Sequence, residues 1–300
     1  MSFDNAYESL LENNDEAHWA YGTGFADVLS DVDHVVPAGV DPARLAAYCL
    51  LLGDDALVMS QRLSAWCSWA PELEEDVALA NIALDLLGQA RLLYTRAVEA
   101  DPSVRPAGVP AHVPAEDALA YFRDELDFRN VRLAEIDTGP GPAGDFAMTI
   151  ARLLVFASWR LAIFVRLVDT ADPVLAAIAA KGVKELAYHR DHAAQWTIRL
   201  GDGTPLSTER MRAGLAAIWP LVPELCAQHP TELVDMTAVA TELDDVLNRV
   251  FAAAGLDRPT VPAMAGVSGR TGRDGVHTTA LGYLLAELQH IARSHPQAVW

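Results

Sequence analysis

From residue 44 onward, apolar positions recur at three- and four-residue steps, and strand-like alternation is scarce. The pattern predicts a first helix over about 42–69. A second starts at Pro71, which suits a first helical position, and runs to the Pro/Gly segment DPSVRPAGVPAHVP. In it Leu73, Val77, Ala80, Leu84 and Leu87 keep the helical step, while Ile82, Leu86 and Leu93 widen the stripe. That predicts burial on more than one side. A third helix is expected over about 115–136, and a fourth over 146–168 with Asp145 as its N-cap. A fifth should run from about 173 to 200, and Ser207 is placed to cap a sixth. Pro230 separates that one from a seventh reaching about 254, and a last helix covers about 278–294. Long helices with short connections define an all-α fold, a helical bundle with additional C-terminal helices.

Charge divides the chain unevenly. Residues 1–43 hold nine acids (Asp4, Glu8, Glu12, Asp15, Glu16, Asp27, Asp31, Asp33, Asp41) and no Lys or Arg. They read as a solvated acidic extension ahead of a helical domain over 44–300. The whole chain of 300 residues carries a formal charge of −19, which disfavours nucleic-acid backbones and anionic membrane surfaces. The longest apolar run, 150–168, is interrupted by Arg152, Arg160 and Arg166, and so makes a poor membrane span. Cys49, Cys67 and Cys226 form no CxxC pair, and the N-terminus lacks the charge pattern of a signal peptide; a cytoplasmic protein is expected.

The chemistry best known in helical bundles is the carboxylate-bridged di-iron centre. It needs one Glu from each of two helices and Glu-x-x-His from each of two others. The chain offers Asp15/His18, Asp31/His34, Asp274/His277 and Glu287/His290 at that spacing. Only Glu287/His290 falls on a convincing helix, where a surface pair is the simpler reading. The fourth helix has no Asp or Glu between Asp145 and Asp169, and Phe156, Ala157, Ser158 and Trp159 stand at its middle. Apolar side chains cannot ligate iron. No catalytic, cofactor-binding or metal-ligating residue is therefore assigned.

Other residues stand out without completing a site. Asp54, Asp55, Asp85, Glu185 and His189 are placed to face the interior, as a remnant metal site or as a buried ionic network with Arg62 or Lys184. Buried charge must be paired, which favours the network. His189 and His192 flank Asp191 in HRDH, which lacks a zinc-motif pattern and reads better as solvated or ion-paired. Gly266, Gly269, Gly272 and Gly275, with Arg270 and Arg273, could cradle a phosphate such as one from CoA, or form a flexible or interface loop; with no preceding strand or P-loop Lys, the phosphate signal is weak. Trp66, Trp69, Trp159, Trp196 and Trp219 are expected on helices, in core or interface packing.

Three stretches are distinctive: LLGDDALVMSQRLSAWCSWAPELEEDVALANIALDLLGQAR (51–91), YFRDELDFRNVRLAE (121–135) and AAIAAKGVKELAYHRDHAAQWTIRLGDGT (176–204). With GRTGRDGVHTTALGYLLAELQ (269–289) and Trp300, they resemble the C-type subunits of bacterial phenylacetyl-CoA 1,2-epoxidases, over about 44–300. The resemblance implies a ferritin-like fold and a non-catalytic structural role in a multicomponent monooxygenase. It implies the A-type, di-iron catalytic subunit of the same oxygenase for a partner, a reductase in the complex, and no cofactor in this chain. It also places Leu86/Gln89 and Leu186/His189 where catalytic subunits carry Glu-x-x-His. Two other functions compete: a di-iron oxygenase in its own right, and a stand-alone helical acyl-CoA-binding protein.

Overall fold

The computed structural model describes residues 29–141 and 145–298. The expected extension lies mostly outside these residues, but its end is docked on the bundle. Leu29 is buried with the core, the Arg96 guanidinium donates to the His34 carbonyl at 2.7 Å, and the His34 ring meets Glu99 at 2.9 Å.

Helix α1 (Pro42–Ser64) opens on Asp41, whose carboxylate accepts the N–H groups of Ala43 and Arg44. It stops five residues short of the expected end. The Ser68 N–H is taken by Asp76 at 2.8 Å from the head of the next helix, and Ser68 lies at φ +69. Helix α2 (Leu73–Ala100) has Glu74, Glu75 and Asp76 in its first turn, where carboxylates complement the positive end of the dipole.

The third expected helix is broken. It survives as α3 (Ala115–Tyr121) and the single turn α4 (Arg132–Glu135), with residues 128–131 outside any helix. The cause is tertiary. Asp54 and Asp55 on α1 accept the N–H groups of Arg129 at 2.7 Å and Val131 at 2.8 Å. A helix would have used those donors internally, and the buried carboxylates would have lost them.

Asp145 and Asp172 cap α5 (Phe146–Leu167) and α6 (Pro173–Gly201). Helix α7 (Pro205–Ile218) is capped by Thr204 rather than Ser207, whose N–H is instead the donor. A short α8 (Val222–Leu225) follows. Helix α9 (Met236–Ala254) begins after its Asp235 cap, five residues beyond Pro230, and ends on Gly255 at φ +61. Thr278 caps α10 (Thr279–Ser294). Among the described residues there is no β-strand, only an isolated bridge between Val267 and Arg270.

The α1/α2 and α5/α6 pairs form two long helical hairpins packed together, the all-α, ferritin-like arrangement, with α7 and α9 against α5 and α6 and α10 against α3. Helix α5 is the central rod, buried nearly all round. Both α2 and α5 are long and apolar enough to cross a membrane by composition, but 89% of the apolar window of α5 is buried inside the protein. Trp66, Phe146 and Trp196 join the ends of the hairpins edge to face, with centroids 5.7 and 5.1 Å apart. Trp159 is fully buried and donates to the Leu225 carbonyl at 2.8 Å, while Trp69 lies beyond α1 and is exposed.

One glycine permits a close backbone crossing. A Cβ on Gly272 would stand 2.1 Å from the Asn130 carbonyl oxygen, and rigid backbone cannot yield that space. Gly272→Ala is expected to cost about 1–3 kcal/mol or more by overpacking. Gly88→Ala, in an open position on α2, should instead stabilise by up to about 1 kcal/mol through helix propensity. Urea midpoints of both variants check the contrast, and similar midpoints would contradict it.

Candidate functional site

The centre of the four long helices is where a ferritin-like bundle holds its metals. In this chain a guanidinium sits there. Arg160 on α5 is fully buried; its Nε–H donates to Gln89 Oε1 at 3.0 Å and its Nη1 to the Leu52 carbonyl at 3.1 Å. The group lies 4.5 Å from the Phe164 ring centroid, a cation–π contact. Gln89 passes the chain on, its Nε2 donating to Glu185 at 2.9 Å, and Glu185 pairs with Lys181 one turn away. Burial pulls the Arg160 guanidinium down to about 10, with Asp55 opposing the shift, so it stays charged at neutral pH. Leu86, three residues before Gln89 on α2, and Leu186, next to Glu185 on α6, are fully buried apolar side chains.

These residues do not suit a di-iron centre. Guanidinium and ammonium groups have no lone pair to offer, Leu86 and Leu186 offer no donor atom, and a fixed cation repels a divalent one. Among the described residues no three His, Cys, Asp or Glu side chains form a metal-holding group. His189 and His192 face separate carboxylates, Asp85 at 2.9 Å and Glu75 at 3.2 Å. Burial lowers the pKa of His192. Of the acid-x-x-His pairs, Asp15/His18 lies outside the described residues, and Glu287 and His290 are both exposed on α10. His34 pairs with Glu99 and His277 with Glu135, rather than with Asp31 and Asp274.

The five singled-out residues divide. Asp54, Asp55 and His189 are fully buried, whereas the Asp85 side chain is 38% exposed and Glu185 is half-buried. Their cationic partners differ from those expected. Lys184 is exposed, and Arg62 donates to the Glu135 and Ala280 carbonyls. Asp54 instead takes both Nη groups of Arg123, the Tyr94 hydroxyl at 2.6 Å and the Arg129 N–H. Asp55 takes the Val131 N–H and Arg273 Nη1 at 2.9 Å. Burial pushes the Asp55 carboxyl up, with the Arg273 charge as the main counterweight.

Arg273 ties the glycine loop to the bundle. It reaches inward to Asp55, donates to the Arg129 carbonyl at 2.8 Å, and lies 3.7 Å from buried Glu232. Glu224 takes the Gly272 N–H at 3.1 Å and pairs with Arg132 at 2.6 Å. The signal for this network in the sequence was its acids: Asp54 and Asp55 stand in the apolar stretch of α1, and buried carboxylates must find partners somewhere.

His277 fastens the far end of the loop. Its ring nitrogens face Glu135 and the Phe128 carbonyl, each at 3.0 Å. A carbonyl only accepts, so Nε2 carries a proton, and the carboxylate favours a second proton on Nδ1. Burial opposes the charge, but the Glu135 hydrogen bond and charge, with the Phe128 carbonyl, raise the pKa above its ordinary value. The stabilisation is therefore complete below about pH 6.5 and is lost as pH rises through the higher folded value. The wild-type urea midpoint should fall through that window, and His277→Gln should flatten the fall. An equal slope in both chains would contradict this.

The fold and its centre define a class: a ferritin-like bundle whose interior is filled by an arginine, an amide and two buried leucines. Residues 36–300 match the family described as phenylacetic acid catabolic protein, and the chain belongs to that family. It is similar to the C-type subunit of 1,2-phenylacetyl-CoA epoxidase from Escherichia coli (strain K12), with 41% identity over 265 residues, spanning 86% of this chain and 99% of that protein.

Proposed function

We propose that this chain is a non-catalytic subunit of a phenylacetyl-CoA epoxidase complex, pairing with and supporting the di-iron subunit that carries the chemistry. The observation that carries the reading is Arg160: a guanidinium charged at neutral pH, held by Gln89 through Nε and by the Leu52 carbonyl through Nη1, occupies the interior where a catalytic relative would need carboxylates. The likeness to the C-type subunit of the E. coli enzyme supports the same reading. Reductase and other components would complete the complex.

The outer face of α2 supports pairing. The helical stripe predicts burial of Leu73, Val77, Leu84 and Leu87, yet they are 75%, 53%, 63% and 44% exposed. Ile82, Leu86 and Leu93 face the core. Tyr188 on α6 is exposed as well. Single exposed leucines are ordinary, but an apolar line repeated along about 20 Å of one helix marks a contact surface. The chain is thus apolar on two sides of α2 and buries only one of them itself.

The first test is the iron content of the purified chain after anaerobic reconstitution with Fe(II). Near zero is the expected result. About two irons per chain would overturn the proposal and make the chain an oxygenase in its own right.

A further inference from the structure

A cavity of about 440 Å³ opens between the first half of α1, the turn at 127–129, the connection before α9 and the glycine loop. That volume is in the range of small-molecule sites, ~300–1,000 Å³. Leu50 and Leu51 supply an apolar wall, and Arg129, Arg270 and Arg273 supply three guanidiniums. His229 lies at the same mouth.

Three guanidiniums and two carboxylates line the cavity, in a chain of formal charge −19, and the Asp274 carboxylate feels the Arg270 charge. Arg129 spends one nitrogen, Nη1, on the carbonyls of Leu126 and Phe128 at 2.6 and 2.7 Å. Exposed Arg270 makes one side-chain bond, from Nη2 to the Asp274 carbonyl at 2.9 Å. Neither forms an ion pair among the described residues. Arg273 answers Asp55 and lies 3.7 Å from Glu232, while its Nη2 is buried without a hydrogen-bond partner among the described residues. The two carboxylates at the cavity, Asp127 and Asp274, are turned to their own backbone and accept the N–H groups of Asp124 and Thr271 at 3.2 and 3.0 Å. Asp274 also lies 3.5 Å from the His229 ring.

We propose that this cavity binds a phosphate monoester, its phosphoryl oxygens on Arg129 and Arg270 with Arg273 behind them, and its organic body on Leu50 and Leu51. Guanidinium forks match the tetrahedral, doubly charged phosphoryl group, and each charge-assisted bond is stronger than a neutral one. The apolar wall and the volume call for a body beyond the phosphate itself. The glycines serve this arrangement: a Cβ on Gly275 would stand 2.8 Å from the Arg129 guanidinium. The site is separate from the bundle centre and stands whether or not the chain pairs with an oxygenase partner.

The test titrates the full-length chain with phenyl phosphate at fixed ionic strength, with inorganic phosphate and benzoate as comparison ligands. Phenyl phosphate should saturate one site, and both comparison ligands should bind more weakly. Arg270→Gln and Arg129→Gln should each weaken phenyl phosphate by about tenfold, the scale of one charge-assisted bond. Arg270→Gln disturbs a single exposed bond, so its thermal midpoint should match wild type and keep the binding result interpretable. Absence of saturable phenyl phosphate binding would overturn the proposal. So would benzoate or inorganic phosphate binding as tightly as phenyl phosphate, or affinities unchanged in both arginine variants.

Discussion

Asp54→Ala should be among the most damaging single substitutions in this chain, costing about 3–5 kcal/mol. The carboxylate is fully buried and receives Arg123, the Tyr94 hydroxyl and the Arg129 N–H. Removing it leaves a buried guanidinium uncompensated and two further donors orphaned. It also frees the 128–131 segment from α1, which loosens the wall against which Gly272 packs. Asp54→Asn keeps the volume and one acceptor, so its loss should be smaller. The double variant Asp54→Leu/Arg123→Met removes both charges and should recover part of the stability, because buried pairs are often replaceable by apolar groups. Recovery should stay incomplete, since the Tyr94 and Arg129 donors remain. Denaturant unfolding of the three variants measures the order; a loss under about 1 kcal/mol for Asp54→Ala would show that water replaces the carboxylate.

The second large effect concerns assembly rather than folding, and it rests on the proposed pairing. Leu84→Glu combined with Leu87→Glu should weaken association with the di-iron subunit by at least about 100-fold, since two central anchors are worth ~2 kcal/mol each. Both side chains are exposed in the free chain, so its circular dichroism and thermal midpoint should hardly change. Leu206→Glu, at an equally exposed position on α7, is the control and should leave assembly intact. Copurification with a tagged partner reads the result. Full recovery of the complex with the double variant would move the interface off this face of α2.

Much of the fold was legible because helix signals are local. Asp145 and Pro173 mark starts that the structure keeps, and the apolar stripe of α5 runs all round because the helix is the central rod. The failures share a different cause. Residues 122–131 have helical composition, but Asp54 and Asp55, some 75 positions earlier, claim their backbone donors. Periodicity within the segment carries no trace of that competition. The stripe on α2 shows a related limit, because an apolar face looks alike in sequence whether it meets the chain's own core or another molecule. At the candidate site the acidic members were visible as isolated charges in apolar stretches. Their partners Arg123 and Arg273 were not paired with them by spacing, because they arrive from distant parts of the chain.

The arginine at the bundle centre has a practical consequence for supply and loss. A metal can be chelated, diluted away or change its oxidation state; a guanidinium is carried by the peptide and is present as soon as the chain is translated. Chelators should therefore find nothing structural to extract, and the thermal midpoint with and without EDTA should coincide. On the proposed pairing, the surface offered by α2 would keep one shape under iron starvation and iron plenty, and a partner docking there would meet the same template before and after its own metals arrive.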